Sequence, residues 1–310
     1  MAVELLKKVQ FPKAGKYIVA VSGGVDSVLL LDILASQAKR RKYQLVVAHF
    51  DHGIRADSHL DQQLVKKVSS KYKLPFVSRQ AKLGKVSEAT ARQARYSWLN
   101  QVKNRHKARA IITAHHLDDA LETAIFNTGR GVDRWGLTPL HLQKEIIRPL
   151  LNLTKADLVK YARKRKLEWR EDPTNRDLRI ARNFIRSRVL PLLDRRRLTK
   201  DLQALAESNR QLAAQLEARL ANLAEVKTTS IKFQRYDLIM MDNQQLSELL
   251  RLAAAKLGGN LDSQRLRRLV VFAKTGRPGK LDLSHQLLAQ NEYDTLSLVK
   301  GQSARVSVAG

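Results

Sequence analysis

The stretch YIVAVSGGVDSVLLLDIL, Tyr17 to Leu34, decides the fold: an apolar β-rich run passes through a short polar turn straight into an apolar helical run. The turn, SGGVDS, covers Ser22, Gly23, Gly24, Val25, Asp26 and Ser27. Its two glycines reach backbone dihedrals that are costly for other residues and let the main chain approach a ligand closely. Amides and hydroxyls at the start of the following helix point at whatever lies there, which suits an anion. This strand–turn–helix junction predicts a pyrophosphate site. It is no Walker loop, because the terminal Lys-Ser/Thr is missing, and no dinucleotide fingerprint, because the G-x-G-x-x-G spacing is missing. Asp26 is the unexpected member, a negative charge beside a phosphate site. It reads either as a helix cap or as a carboxylate that holds Mg²⁺ against the phosphates.

Outward from this junction, further β-rich runs at Leu45 to Phe50, Pro75 to Ser78, Ala110 to Ala114 and Glu145 to Ile147 alternate with helical periodicity. The helical stretches are Val28 to Ala38, His59 to Lys71, Ser87 to Val102 and Leu117 to Asn127. That alternation predicts an α/β fold, a parallel sheet flanked by helices. Between Arg163 and Arg197 the chain turns basic, with 13 Lys and Arg against 5 Asp and Glu, as a helical lid or an RNA-facing flank would. Leu202, Leu205, Leu212, Leu216, Leu220 and Leu223 then recur at helical spacing without Gly or Pro, the core-facing stripe of a long helix. Helices over Gln245 to Leu257 and Ser263 to Ala273, a turn at Gly276 to Gly279 and short strands after it predict a small, mainly helical second domain. The expected organisation is a first domain over 1–198, a linker helix over 199–226 and a small domain over 227–310.

The 310 residues carry 57 Lys and Arg against 29 Asp and Glu, a net charge of +28 that attracts polyanions, nucleic acid first. Cysteine is absent, which excludes disulfides, thiolate metal sites and any cysteine nucleophile or persulfide. Aromatic residues make up 5%, little material for stacking along single-stranded RNA, so recognition is expected to lean on phosphates and shape. No run of about 18 apolar residues occurs, and MAVELLKKVQFPKAGKY lacks the features of a secretory signal. A cytoplasmic protein without a membrane partner is the expectation.

His49, Asp51 and His52 follow the second strand at the carboxyl edge of the sheet, where ligands of such folds bind, though His and Asp are also ordinary turn residues. After His115 and His116 come Asp118, Asp119 and Glu122, the last two sharing one helix face. Paired carboxylates suit an ammonium; the bland alternative is a solvated acidic face. Arg92 and Arg95 share a face three apart, and Arg182 and Arg186 do so four apart. Their forks suit phosphate, while Asn183 suits a cap or a base contact.

SGGVDS after a first strand resembles the signature of the N-type ATP pyrophosphatases, the PP-loop superfamily, which cleave ATP to AMP and pyrophosphate. HFDHGIR (His49 to Arg55), EATARQARYSWL (Glu88 to Leu99), TAHHLDDALET (Thr113 to Thr123) and DPTNRDLRIARNFIRSRVLPLL (Asp172 to Leu193) are similar to one branch, the tRNA(Ile)-lysidine synthetases. GKLDL (Gly279 to Leu283) resembles that family's first accessory domain more loosely, and many members continue into a further carboxy-terminal domain. The resemblance implies ATP with Mg²⁺, free lysine and tRNA(Ile) bearing a CAU anticodon as ligands. The wobble cytidine is adenylated with release of pyrophosphate, and the lysine ε-amine then displaces AMP. It implies ATP binding by Ser22 to Ser27 and around His49, main-chain contact to adenine included, Mg²⁺ on Asp26, and lysine binding by Asp119 and Glu122. Arg92, Arg95 and Arg182 would contact the α-phosphate or the tRNA backbone, Arg186 would be a helix-surface or RNA contact, and His115 would polarise the site or relay a proton. The small domain over 227–310 would be an accessory tRNA-binding domain. Rival readings are another PP-loop tRNA-modifying enzyme, an ammonia-using synthetase and a non-catalytic RNA-binding protein. A cysteine-dependent thiolase is excluded by the composition.

Overall fold

A computed structural model describes residues 2–53, 57–81, 86–142, 145–171, 177–259, 261–275, 277–284 and 287–301. Ile54 and Arg55 of HFDHGIR, 172–176 of the Asp172 to Leu193 segment and Gly276 of the expected turn lie outside the described residues. The chain forms two compact units, Met1–Ala206 and Glu207–Gly310.

The first unit runs α1 (Ala2–Lys8), β1 (Gly15–Ala20), α2 (Val25–Arg41), β2 (Tyr43–Asp51), α3 (Ser58–Lys71), β3 (Phe76–Gln80), α4 (Glu88–Arg105), β4 (Ala110–Ile112) and α5 (Leu117–Thr128). It continues with α6 (Arg134–Leu137), α7 (Pro139–Leu142), β5 (Ile146–Ile147), α8 (Lys155–Lys164) and α9 (Ala181–Phe184), then a π-helical turn at Ile185–Val189, and α10 (Arg195–Leu223) begins within it. The five strands are all parallel in the order β3-β2-β1-β4-β5, with Tyr17 in register with both Leu45 and Ala110. Strands covered on both faces read as continuous apolar runs, as β1 and β2 do. Alternation sends Tyr17, Val19, Leu45 and Val47 into the core shared with α2 and α8. Ile18, Val46 and Ala48 go to the opposite core, with Trp98 and Leu99 of α4. The chain steps from β1 to β2 in one direction and reaches β4 on the other side. At that reversal the connections diverge and leave a crevice at the carboxyl edge of the sheet.

The second unit holds the rest of α10, β6 (Ala224–Val226), β7 (Ser230–Gln234), α11 (Arg235–Ile239), α12 (Asn243–Lys256), α13 (Ser263–Lys274), β8 (Gly279–Ser284), β9 (Leu287–Asn291) and β10 (Thr295–Lys300). Its helices are where the periodicity places them, but they accompany a five-stranded antiparallel sheet in the order β6-β7-β10-β9-β8. That sheet is a larger element than the few short strands expected. The inner strands β7, β10 and β9 each bury one face, as Ile231 and Phe233 do on β7 and Leu296 and Leu298 on β10. The leucine stripe of α10 faces inward at Leu202, Leu216 and Leu220, all buried.

Candidate active site

The SGGVDS turn lies between β1 and α2. Gly23 has φ +99°, a conformation that disfavours any side chain, and a Cβ there would come within 3.3 Å of the Asp61 Cβ. α3 therefore packs directly against the loop's backbone. From behind, the Arg170 backbone N–H donates to the Gly23 carbonyl at 3.1 Å, while its guanidinium bonds Asp61 at 2.7 Å and Asp57 at 2.6 Å. The Ser22 and Ser27 hydroxyls meet at 3.1 Å, and Ser27 also accepts from the Ser22 amide. Gly24 is the N-cap of α2 and offers no side chain to its first-turn amides, so these remain for a ligand.

A cavity of about 410 Å³ opens in front of the loop, lined by Ser22, Gly24, Asp26 and Ser27 from the loop, Ala48, Phe50 and His52 from β2 and its end, Arg95 and Leu99 from α4, and Thr113, His115 and Asp119. The strand period decides which side chains face the cavity. Ala48, Phe50 and His52 face the cavity, so His49 faces the other side of the sheet, where it is buried and its Nδ1 bonds the Val21 carbonyl at 2.9 Å. The His49 side chain steadies the strand that enters the loop and does not line the cavity; the expected contact to adenine is through the main chain, which the direction of this side chain does not alter. Asp51 likewise serves its own turn, accepting from the Gly53 amide and the Ser58 hydroxyl, each at 2.8 Å.

The acidic face of α5 is not solvated. Asp119 lines the cavity and accepts from the His116 amide at 2.9 Å. Glu122, 2% exposed, does not line it: Arg186, from the π-helical turn, holds both its oxygens at 2.6 and 2.9 Å. Glu122 is therefore paired and lies off the cavity, and its partner Arg186 is exposed at the surface, where the sequence reading placed it. Burial raises the Glu122 carboxyl above its usual range, and Arg186 opposes that rise. Asp118 accepts from the Lys155 amide at 2.7 Å and pairs with Arg195. Asp26 receives the Lys155 ammonium on both oxygens, at 2.8 and 2.7 Å. Buried His116 stands among Asp26, Asp118 and Asp119, 3.6 to 3.8 Å from each.

The opposite wall is cationic. The Arg92 and Arg95 guanidiniums lie over the Tyr96 ring at 4.9 and 5.2 Å, and among the described residues neither is within ion-pair distance of a carboxylate. Burial chiefly, then the charges of Arg148, Arg92 and Arg95, hold the His115 imidazole well below its usual range. Its Nδ1 bonds the Thr113 hydroxyl at 2.8 Å, which leaves Nε2 for a ligand. Arg148 is buried and donates to the Leu140 carbonyl at 2.9 Å. The Arg92 and Arg95 guanidiniums, with no carboxylate at ion-pair distance among the described residues, suit an anion. Arg182 lies outside this wall, with its Nε 3.5 Å from Glu88 at the start of α4. Buried Asn183 ties the Asp177 carbonyl at 3.0 Å.

Lys155, His116 and Arg148 belong to the site but escape sequence reading. Lys155 and Arg148 sit in unremarkable segments, and His116 is masked by its neighbour. Among the described residues no group of three or more His, Asp or Glu could hold a metal by itself. Mg²⁺ that bridges phosphates needs only one or two protein carboxylates, and Asp26 beside the phosphate loop fits that need.

Fold and site together define a doubly wound phosphate-binding domain, and residues 1–193 match the family described as the PP-loop domain. The tRNA(Ile)-lysidine synthase of Thermus thermophilus is 37% identical over 296 residues, covering 91% of this chain and 56% of that protein. The enzyme of the same name from a Nostoc species is 31% identical over 243 residues, covering 76% of this chain and 71% of that one. The chain belongs to the PP-loop family, within the branch of the tRNA(Ile)-lysidine synthases. It spans little more than half the length of the Thermus relative. A solved U34-tRNA thiolase from Methanococcus maripaludis shares the fold, with a TM-score of 0.54 and 17% identity over 66% of this chain and 80% of that one. The [4Fe-4S] cluster of that protein has no counterpart here for want of cysteine.

Proposed function

We propose that this chain ligates free lysine to carbon 2 of the wobble cytidine in tRNA(Ile) with a CAU anticodon, using ATP and passing through an adenylated tRNA. One observation carries the reading: the phosphate loop, the Arg95 guanidinium with Arg92 beside it on the same ring, and the Asp119 carboxylate come together at one cavity, which Arg95 and Asp119 line directly. Such a cavity can hold an anionic nucleotide at one wall and an ammonium at another. Membership of the lysidine synthase branch supports the choice of substrates, and the net charge of +28 supports an RNA partner met in the cytoplasm. No helix among the described residues is long and apolar enough to cross a membrane.

In this mechanism the loop amides with Ser22 and Ser27 hold the β- and γ-phosphates. Mg²⁺ on Asp26 would neutralise phosphate charge. Arg92 and Arg95 stabilise the charge that grows on the α-phosphate as the cytidine 2-oxo oxygen bonds to it and the bond to pyrophosphate breaks. Neutral His115 offers Nε2 as a hydrogen-bond partner in that wall. Arg182, paired with Glu88, orients the start of the helix that carries Arg92 and Arg95. In the second step Asp119 holds the lysine ammonium, Glu122 and Arg186 brace that face of α5, and the ε-amine must shed a proton because its free pKa is about 10.4. Its nitrogen then bonds to carbon 2 and AMP departs with the oxygen.

The half-reactions separate under Asp119→Asn, which keeps an oxygen acceptor for the His116 amide and removes the charge. Lysine binding is expected to weaken by about 2 to 5 kcal/mol, while ATP and tRNA still yield pyrophosphate and adenylated tRNA. Loss of pyrophosphate release with lysine affinity intact would place Asp119 in the nucleotide site and overturn this division.

A further inference from the structure

Lys155 occupies a position that a lysine does not favour. It is the first residue of α8, where the helix dipole repels a cation, and capping there is done by the Thr154 hydroxyl and the Asp157 carboxylate. Its backbone is fixed twice over. The Lys155 amide donates to Asp118 at 2.7 Å, and Leu158 and Ala162 one and two turns on are fully buried in the core shared with α2. From this anchored point the side chain reaches the phosphate loop, and its Nζ lies 2.8 and 2.7 Å from the two oxygens of Asp26.

That pair does little as a structural tie. The Lys155 side chain is 44% exposed and that of Asp26 26%, and ion pairs in such surroundings contribute little to stability. An ammonium has three N–H donors, of which Asp26 takes two. Among the described residues none takes the third. The arginine wall lies across the cavity on α4, whereas Lys155 brings a positive charge to the loop itself.

We propose that Lys155 is a phosphate-contact residue: its ammonium, steered by Asp26, donates to the pyrophosphate held by the Ser22–Ser27 loop and stabilises the charge that gathers there as pyrophosphate leaves. The assignment rests on the reading of that loop as a pyrophosphate site. No bond to Lys155 forms or breaks; it contributes only its fixed charge and a hydrogen bond.

The test is calorimetric titration of the full chain with inorganic pyrophosphate and, separately, with AMP, for the native protein, Lys155→Met and Lys155→Arg. Methionine keeps the length and apolar stem and removes the charge. Pyrophosphate affinity of Lys155→Met is expected to fall about tenfold or more, with AMP affinity and melting temperature unchanged and Lys155→Arg close to native. Native pyrophosphate affinity in Lys155→Met overturns the assignment. Tighter binding also overturns it, since Lys155 would then be a plug on Asp26. Equal losses for pyrophosphate and AMP with a lowered melting temperature reduce Lys155 to a structural tie and overturn it too. A native protein that binds no pyrophosphate brings down the reading of the loop itself, a result distinct from all of these.

Discussion

His115 stands beside three guanidiniums with little water to solvate a charge, so it stays neutral where an ordinary imidazole would take up a proton. Its proton affinity is lower folded than unfolded. The unfolded chain therefore binds more protons below about pH 6.5, and the stability tied to neutral His115 is complete above that value and declines as pH falls. His52 is shifted in the same direction, by burial first and then by Arg95. Replacing His115 by Gln is expected to flatten the loss of melting temperature between about pH 6.5 and 5; parallel native and variant curves would contradict the assignment. The Glu122–Arg186 pair makes the opposite demand, because its carboxylate is charged and buried. Arg186→Met strands that charge. Since the arginine is itself 42% exposed, the expected loss is about 1 to 3 kcal/mol in urea unfolding, below the range for fully buried pairs, and Glu122→Gln in the same chain restores much of it. No loss at all would leave Arg186 with its surface position alone. Helical spacing shows which residues share a face but not that a partner 64 residues away lies against one of them.

Elements were legible where their signals are local. The β1–turn–α2 junction could be read in full, since apolar strand, glycine turn and apolar helix adjoin, and Gly23 has the positive φ that the turn chemistry demands. Gly23→Ala is accordingly expected to cost about 1 to 3 kcal/mol of stability and to weaken pyrophosphate binding, since both the dihedral and the Asp61 contact must yield. An alanine variant with native melting temperature and native affinity would show that the loop tolerates another path. The face on which the His49 side chain lies was not legible, although its strand was found. A strand's alternation is plain in sequence, but which face meets the cavity depends on where α4 packs, a tertiary fact. In the second unit the short strands expected after the turn are β8, β9 and β10, while β6 and β7 leave too short a pattern to read and the pairing of β7 with β10, which joins the two hairpin groups into one sheet, depends on partners distant in the chain.

Over the whole molecule, net charge was the plainest sequence signal and the easiest to overextend. At least seven of the basic residues between Arg163 and Arg197 turn to the chain's own carboxylates: Arg165 to Asp32, Arg170 to Asp57 and Asp61, Arg179 to Asp177, Arg182 to Glu88, Arg186 to Glu122, Arg195 to Asp118 and Arg197 to Asp201. Part of the flank's charge is thus shared with the chain's own carboxylates, although Arg179 and Arg197 remain largely exposed. Affinity for tRNA is expected to fall steeply with salt, and exposed Arg188 and Arg196, changed singly to Ala, to flatten the log-log slope by about one unit each. Arg165→Ala is expected to leave the slope unchanged. A salt-insensitive affinity would remove RNA from the account. The central claim, that one cavity adenylates a tRNA base and then delivers lysine to it, is tested most directly by incubating the full chain with labelled lysine, ATP and total tRNA. The account predicts label in tRNA with AMP and pyrophosphate formed in equal amounts, both dependent on tRNA. Production of ADP and phosphate, or tRNA-dependent ATP cleavage that leaves the RNA unlabelled, would contradict it.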